Sequence, residues 1–267
     1  GTTLTAASIS RTAGATVLFR GTNLGAGAAA AGNTNLNFTT ATGLGLVGAN
    51  TLATNKPIVP YAIGDTSATG AGIGFVTNNI NLADNLANTF GIRPLAVATE
   101  YATTQAAGVN LRVAASVSPN ATVALNSLIL TGGSTYTIGA TGGGRTLTVT
   151  SGAVFSATGA TNTITGRTTD RLAFGAVEAK IFAVGDLTLS TALATGTAGL
   201  TKAGAGMLTL TGANLYTGLT TVNAGTLTEG IANALSSGAV TVNGGIFNIG
   251  AFSDTVGAVT LTNGSIT

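Results

Sequence analysis

Histidine, cysteine and tryptophan are all absent from this sequence of 267 residues. Without an imidazole base, the Ser-His-Asp and Cys-His mechanisms of nucleophilic catalysis are excluded. Without a thiol, thiolate catalysis, disulfide bonds and zinc sites built on sulfur are excluded as well. Because a cytosolic chain would normally carry a few free thiols, the absence of cysteine also favours a location outside the cytoplasm.

Charged residues make up only 7% of the chain, against about 25% in ordinary soluble proteins. Helices that expose polar faces need such residues to cover them, so the composition argues against a helical globule. The net charge of +2 is too small for binding to a phosphate backbone, and we expect no nucleic-acid partner. No apolar run approaches the roughly 18 residues of a spanning helix, so we expect no membrane-spanning segment in this chain.

Short strands with period-two alternation fill the second half of the sequence. Apolar residues alternate with threonine in residues 145–150 (RTLTVT) and 207–211 (MLTLT), and similar stretches end at glycine turns. The gaps between the last apolar residues of successive strands are 19, 40, 21, 12, 20 and 19. We count the 40 as two units with a degenerate strand near Ile164. The marker residues are Leu130, Val149, Leu189, Leu210, Val222, Val242 and Leu261.

A repeat near 20 residues predicts a β-solenoid, in which each turn of the chain pairs with the turns above and below it. A propeller would need about 40 residues per blade and aromatic signatures, and aromatic residues are only 5% here. We therefore expect an all-β fold with parallel strands stacked about 4.8 Å apart from residue 120 onward. The residues expected to point inward are Leu130, Val149, Leu189, Leu210, Val242 and Leu261.

The composition divides the chain into three parts. Residues 1–47 contain strand-like stretches, and we expect them to form the N-terminal strands of the solenoid. Residues 48–118 hold Pro57, Pro60 and Pro94 together with tyrosines and charged residues, which predicts an irregular, loop-rich insertion. Residues 119–267 carry the repeats, of which residues 199–227 are the best.

Residues 199–227 contain L-x-K-x-G-x-G, then LTL-x-G-x-N-x-Y-x-G, then T-x-V-x-x-G-x-L. This stretch closely resembles the autotransporter-associated β-strand repeat, also called the passenger-associated transport repeat, and residues 233–243 look like its usual continuation. Residues 60–62, 91–95 and 100–101 are similar to spacer regions in giant surface proteins that carry these repeats. The resemblance implies a right-handed parallel β-helix, secreted or displayed at a bacterial surface, and we expect a fragment of a larger bacterial surface protein.

Two motifs suggest binding of a cofactor or a metal, and neither has the context that its chemistry needs. Residues 43–48 (GLGLVG) satisfy G-x-G-x-x-G, but Pro57 would truncate the helix that dinucleotide binding requires. Residues 142–144 are three glycines, but Arg145 follows where a calcium-binding nonapeptide repeat would place aspartate. We therefore expect no cofactor and no metal site.

Carboxylate pairs and tyrosines are the remaining candidates for chemistry. Glycoside cleavage needs two acids within about 5 to 10 Å, and Asp65, Asp84 and Glu100 come nearest to the spacing of one solenoid turn. The acids Asp170, Glu178 and Asp186 alternate with basic residues, which is typical of a solvated mixed-charge face. Two tyrosines in the insertion could stack on sugars, and they are the candidate ligand-binding residues: Tyr61 and Tyr101.

We therefore interpret the chain as a non-catalytic structural segment of a secreted or surface-displayed bacterial repeat protein: a stalk, a fibre or an adhesin passenger. The alternatives are a carbohydrate-active β-helix enzyme and a glycan-binding module that uses the two tyrosines. Residues 259–267 form a final strand region without charge or proline, which predicts either continuation into further repeats or end-to-end self-association. A cell-surface or glycan ligand is the other expected partner.

Overall fold

The computed structural model describes residues 1–27, 32–80 and 90–267. The chain forms two compact units, Gly1–Tyr101 and Ala102–Thr267. Strands make up both of them, and the only helical segment in the described residues is a 3-10 turn at Ala53–Asn55. The prediction of an all-β fold is confirmed. No helix in these described ranges is long and apolar enough to cross a membrane.

The first unit is a mixed sheet of six strands in the order β1-β3-β6-β5-β4-β2. The pairs β1–β3 and β2–β4 are parallel, whereas β6 pairs with β3 and β5 in antiparallel fashion, as β5 does with β4. Apolar side chains from strands and loops pack together as a core of their own, including Phe19, Phe38, Val59 and Ile92. The strands are β1 (Thr2–Ala6), β2 (Val17–Arg20), β3 (Thr34–Phe38), β4 (Ala62–Asp65), β5 (Gly74–Ile80) and β6 (Phe90–Pro94).

This unit differs from the three-part division expected from composition. The two compact units meet between Tyr101 and Ala102, whereas the composition placed boundaries after residues 47 and 118. Within residues 48–118, β4, β5 and β6 pair with the earlier strands and bury Val59 and Val76 in a shared core. The prolines lie beside these strands or at the end of β6, so their presence did not exclude sheet formation.

The second unit is a parallel β-solenoid of nineteen strands in three sheets. Every strand pair in it is parallel, and each pairing joins one turn of the chain to the next. The strands are β7 (Asn110–Val113), β8 (Val123–Leu125), β9 (Ser127–Leu130), β10 (Thr135–Ile138), β11 (Thr146–Val149), β12 (Ala153–Ser156), β13 (Asn162–Gly166), β14 (Arg171–Ala173), β15 (Ala179–Ala183), β16 (Leu187–Leu189), β17 (Ala192–Leu193), β18 (Gly199–Ala203), β19 (Met207–Leu210), β20 (Leu219–Val222), β21 (Thr226–Glu229), β22 (Val240–Val242), β23 (Ile246–Asn248), β24 (Val259–Leu261) and β25 (Ser265–Ile266).

The three sheets differ in length. The first sheet has eight strands in the order β7-β9-β12-β15-β18-β20-β22-β24, and the second has seven in the order β10-β13-β16-β19-β21-β23-β25. The third sheet has only four, β8-β11-β14-β17. The solenoid is therefore three-sided as far as β17, and from there on the third side consists of loops.

The number of residues per turn falls when the third sheet ends. Register partners in the first sheet run from Leu128 to Val154, Ile181, Lys202, Val222, Val242 and Leu261. These steps are 26, 27, 21, 20, 20 and 19 residues. The expected repeat near 20 is therefore correct for the last four turns, and the earlier turns are longer.

Five of the six residues expected to face inward do so. Leu130, Val149, Leu189, Leu210 and Val242 are all buried. The prediction was wrong for Leu261, which is 54% exposed. It lies in β24, the last strand of its sheet, where one neighbouring strand covers it instead of two.

Glycines stack where the chain turns from the first sheet to the second. Gly225 has φ of +62°, and a Cβ there would meet the carbonyl oxygens of Gly204 and Gly206 on the preceding turn. Gly245 and Gly264 repeat this close approach on the next two turns. Only glycine lets consecutive backbones come this near at a corner.

Candidate functional site

The two acids of the first unit that could serve catalysis are already fully bonded. The Asp65 carboxylate accepts hydrogen bonds from the Ser67 amide and hydroxyl, both at 2.8 Å, and from the Gly72 amide at 2.9 Å. Burial alone would raise the pKa of Asp65, but these hydrogen bonds and the Arg20 charge outweigh it and lower the pKa. Asp65 therefore holds a turn as an anion, and Asp84 lies outside the described residues.

Glu100 is the acceptor of a forked ion pair. Its two oxygens accept from Arg93 Nη1 at 2.5 Å and Nη2 at 2.6 Å, and the Ala96 amide donates to it at 2.7 Å. Lys56 Nζ lies 3.4 Å away. Burial opposes ionisation, but the hydrogen bonds and positive charges outweigh it, so the pKa of Glu100 is lowered. A general acid needs a raised pKa, and Glu100 has the opposite.

The two candidate tyrosines lie inside the first unit. Tyr61 and Tyr101 are each 5% exposed. The Tyr61 hydroxyl donates to the Gly43 carbonyl at 2.6 Å, and the Arg11 guanidinium lies 5.3 Å from the ring centroid. The Tyr101 hydroxyl accepts from the Phe75 amide at 3.2 Å. A sugar needs an open ring face, and neither ring offers one here.

The glycine motif of residues 43–48 also belongs to this packing. Gly43 and Gly48 have φ of +86° and +145°, and Val47 forms a bridge with Ile58. No helix follows in residues 49–57 beyond the three-residue 3-10 turn. The helix terminus that would hold a pyrophosphate is therefore missing from this motif.

The mixed-charge face expected around Asp170, Glu178 and Asp186 is not what the structure shows. Asp170 is fully buried and Lys180 is 4% exposed. The Asp170 carboxylate accepts from the amides of Arg145 at 2.8 Å and Arg167 at 2.9 Å. It therefore fixes a corner of the solenoid rather than facing solvent, because corner amides without ladder partners need another acceptor.

An open groove of about 400 Å³ lies beside this corner, on the third side of the solenoid. Its lining comes from three successive turns of the chain, at the place where the third sheet ends. The polar side chains that line it are Arg167, Thr168, Arg171, Ser190, Thr191 and Thr211. No acidic residue lines the groove. Sequence reasoning missed this groove because its residues are far apart in the chain and follow no motif.

A second cavity, of about 360 Å³, lies at the first turns of the solenoid. Leu111, Val113 and Val117 give it an apolar wall, and the Tyr136 hydroxyl donates to Gln105 Oε1 at its edge. Nothing in it combines a charged group with an open polar surface.

Two ionisable side chains of the second unit occupy the solenoid interior. Lys202 is fully buried, and its Nζ donates to the carbonyls of Gly204 at 2.6 Å, Ala224 at 2.9 Å and Ala203 at 3.2 Å. Burial lowers the pKa of Lys202 to about 7, against a smaller opposite effect of Asp186. Lys202 therefore ties together the carbonyls of the glycine corner.

Glu229 is the other interior group, and it is 2% exposed. Neither of its carboxyl oxygens has a hydrogen-bond partner among the described residues. Burial, followed by the neighbouring Asp254 carboxylate, raises the pKa of Glu229 to about 8. Sequence reasoning did not single out Glu229, although a signal was present: it ends the sequence TLTE, where the preceding turn has MLTL.

No group of three or more acidic residues that could hold a metal ion occurs in the described part of the chain. The groove is therefore the one feature that brings several free polar groups to an open surface. Its chemistry is the binding of anions, because its charged groups are both guanidinium ions.

Residues 200–228 match the family model of the passenger-associated-transport-repeat. This match confirms the resemblance found in the sequence, over the strands β18 to β21. No curated protein matches the chain. No solved structure matches it either.

Proposed function

We propose that this chain is a non-catalytic structural segment of a secreted or surface-displayed bacterial repeat protein. Within that class it serves as a stalk, a fibre or an adhesin passenger. The observation that carries the proposal is the unbroken parallel ladder of eight strands from β7 to β24. Each turn contacts mainly its neighbours, so such a stack gains length by adding turns without a change of fold.

The matched repeat supports the location. A passenger-associated-transport-repeat suggests an autotransporter passenger domain, and such domains reach the cell surface. The test is to shave intact cells of the source bacterium with protease and to identify the released peptides. Peptides from both units support surface display. Recovery of these peptides only after cell lysis would contradict it.

Deletion of whole turns tests the structural role. Removing residues 223–242 joins Val222 to Asn243 and takes out one complete 20-residue turn, because Val222 and Val242 are register partners. We expect this variant to keep its β-sheet circular dichroism and cooperative unfolding. Removing residues 223–232 deletes half a turn and should destroy both. Equal loss in the two variants would show that the turns are not interchangeable units.

The enzyme alternative is tested directly on the complete chain. Incubation with a panel of polysaccharides, followed by analysis of reducing ends and unsaturated products, should show no turnover. The bonding of Asp65 and Glu100 supports this expectation, because both carboxylates are held as anions by neighbouring donors. Turnover that disappears in Glu100→Gln or Asp65→Asn would overturn the proposal.

Continuation into further repeats is the partner that the repeat family favours. Val259 and Leu261 in β24 are 50% and 54% exposed. A variant with one more turn, a second copy of residues 243–262 appended after Thr267, should cover them and raise the thermal midpoint. An unchanged or lower midpoint would count against a ladder that can be extended.

A further inference from the structure

We propose that the groove on the third side of the solenoid binds the acidic sugar residues of an anionic polysaccharide. The anionic group is a carboxylate or a sulfate, and Arg171 provides the main contact. This goes beyond the structural role, which does not need a ligand.

The charge of the groove is positive because its acidic neighbour faces away. Arg167 and Arg171 line it, and Arg145 belongs to the same corner. Asp170 compensates one of these three charges, but its carboxylate is fully buried and accepts from backbone amides. An anion entering from solvent therefore meets guanidinium groups and no exposed carboxylate among the lining residues.

Arg171 is held in place and still has donors to give. Its Nη1 donates to the carbonyls of Thr168 at 2.6 Å and Asp170 at 2.8 Å. Its Nη2 and Nε make no hydrogen bond within the described ranges. This edge of a fixed guanidinium is the arrangement that binds a carboxylate or sulfate through two parallel hydrogen bonds. Arg167 uses Nη1 and Nη2 on the carbonyls of Gly142 and Ala140, so it contributes mainly charge.

Hydroxyl groups on successive turns complete the polar lining. Thr211 Oγ1 donates to Ser190 Oγ at 2.9 Å, which places two hydroxyls on neighbouring turns side by side. Thr168 adds a third. Hydroxyls both donate and accept, as sugar hydroxyls do, so the two sets can pair along the groove. Leu215, 41% exposed, offers an apolar surface for a sugar ring.

The same lining does not suit a nucleic acid. Single strands bind where bases stack on aromatic side chains, and no aromatic residue lines this groove. Duplexes need many phosphate contacts, and the whole chain has a net charge of only +2. The volume of about 400 Å³ lies in the ordinary range for small-ligand sites, enough for a short stretch of a polysaccharide.

Binding of defined polymers to the full chain tests the proposal by titration calorimetry. Polygalacturonate supplies carboxylates, dextran sulfate supplies sulfates, and dextran is the neutral counterpart. We expect one or both acidic polymers to bind and dextran not to bind, and the two acidic arms identify the anionic group. Binding of neither acidic polymer, or equal binding of dextran, would overturn the proposal. Tighter binding of poly(dT) would do so as well.

Variants locate the site. Arg171→Gln should weaken binding about tenfold, since each hydrogen bond to a charged group contributes about 1.5 kcal/mol or more. Arg171→Lys should recover only part of it, because lysine keeps the charge and loses the fork. The matched control is Arg20→Gln, which removes one exposed arginine from the first unit and should change binding less than twofold. Equal losses in Arg20→Gln and Arg171→Gln would mean non-specific attraction.

A second pair of variants leaves every arginine bond intact. Ala213 is exposed and lines the groove. Ala213→Glu places a negative charge in the groove and should abolish binding, whereas Ala213→Gln adds the same bulk without charge and should preserve most of it. Unchanged binding in Ala213→Glu would place the polymer elsewhere and overturn the assignment.

Discussion

Glu229 occupies the register position next to Leu210 in the ladder between β19 and β21. Leu189 is the next residue in the same column, so a carboxyl group continues a row of core leucines. The group is buried without a hydrogen-bond partner among the described residues. A buried unpaired carboxylate is costly, so protonation stabilises the folded state.

The first prediction follows from the pKa of Glu229. The folded pKa of about 8 exceeds the ordinary value of 4.5, so the folded state holds a proton that the unfolded state has lost. The free energy of unfolding should therefore fall as the pH rises from about 4.5 to 8. Glu229→Leu should remove this slope and raise the free energy of unfolding at pH 9 by about 2 kcal/mol.

Urea unfolding followed by circular dichroism at pH 5, 7 and 9 measures this slope. Glu229→Gln is the control, because it cannot ionise but keeps the polar group. It should lose the slope without the gain in stability. The explanation fails if the slope is as steep in Glu229→Leu as in the parent chain.

The second prediction compares two leucines that the sequence pattern treats alike. Leu210 is fully buried and Leu261 is 54% exposed. Leu210→Ala should lower the free energy of unfolding by about 3 kcal/mol, because it leaves a cavity between stacked turns. Leu261→Ala should change it by less than about 0.5 kcal/mol. Chemical denaturation of the two variants side by side measures both, and similar losses would contradict the assigned burial.

The third prediction concerns the glycine corner. Gly225→Ala should destabilise the solenoid through both its φ of +62° and the clash with the preceding turn. Gly196 is the matched control, since it has φ of +85° but nothing within 4 Å of an added Cβ. Gly225→Ala should cost about 2 kcal/mol more than Gly196→Ala in thermal or urea unfolding. Equal costs would show that φ alone requires glycine there.

The fourth prediction tests the ion pair of the first unit. Glu100→Gln breaks the fork with Arg93 and should destabilise that unit by about 3 kcal/mol at pH 7. The folded pKa of Glu100 is lowered, so its contribution is present above its ordinary value of 4.5 and is lost as the pH falls below that. Glu100→Gln should therefore show a weaker dependence on acid than the parent chain.

Hydrogen exchange of residues 90–101, measured by mass spectrometry from pH 3 to 7, reports on this unit alone. Lys56→Gln is the control, because it removes only the longer contact of 3.4 Å and should cost less than about 1 kcal/mol. A larger effect of Lys56→Gln than of Glu100→Gln would be inconsistent with the geometry of the pair.

The sequence predicted the solenoid better than its boundaries, for a physical reason. Strands of the last turns alternate threonine with Val or Leu at a fixed spacing, so pattern and pairing agree. The gap of 19 from Leu130 to Val149, however, is a step between two different sheets, and its agreement with the true repeat is a coincidence. Spacing alone does not distinguish a step between sheets from a complete turn.

The first unit and the groove were beyond local patterns. The antiparallel pairing of β5 with β6 brings Val76 beside Pro94, and no periodicity in residues 48–107 announces that contact. The groove forms where the third sheet is lost after β17, between residues that are distant in the chain. Such features depend on how turns stack, which is decided by many weak contacts at once rather than by one motif.

The shortening of the turns after β17 changes how economically the chain produces reach. A stack rises about 4.8 Å per turn, so a span of about 100 Å needs about 420 residues at 20 per turn and about 560 at 27 per turn. The third sheet therefore consumes a quarter of the polymer without adding height. A bacterium that must synthesise and export every residue gains distance from its surface most cheaply with the slimmer turns, and spends the wider ones where a side wall is needed.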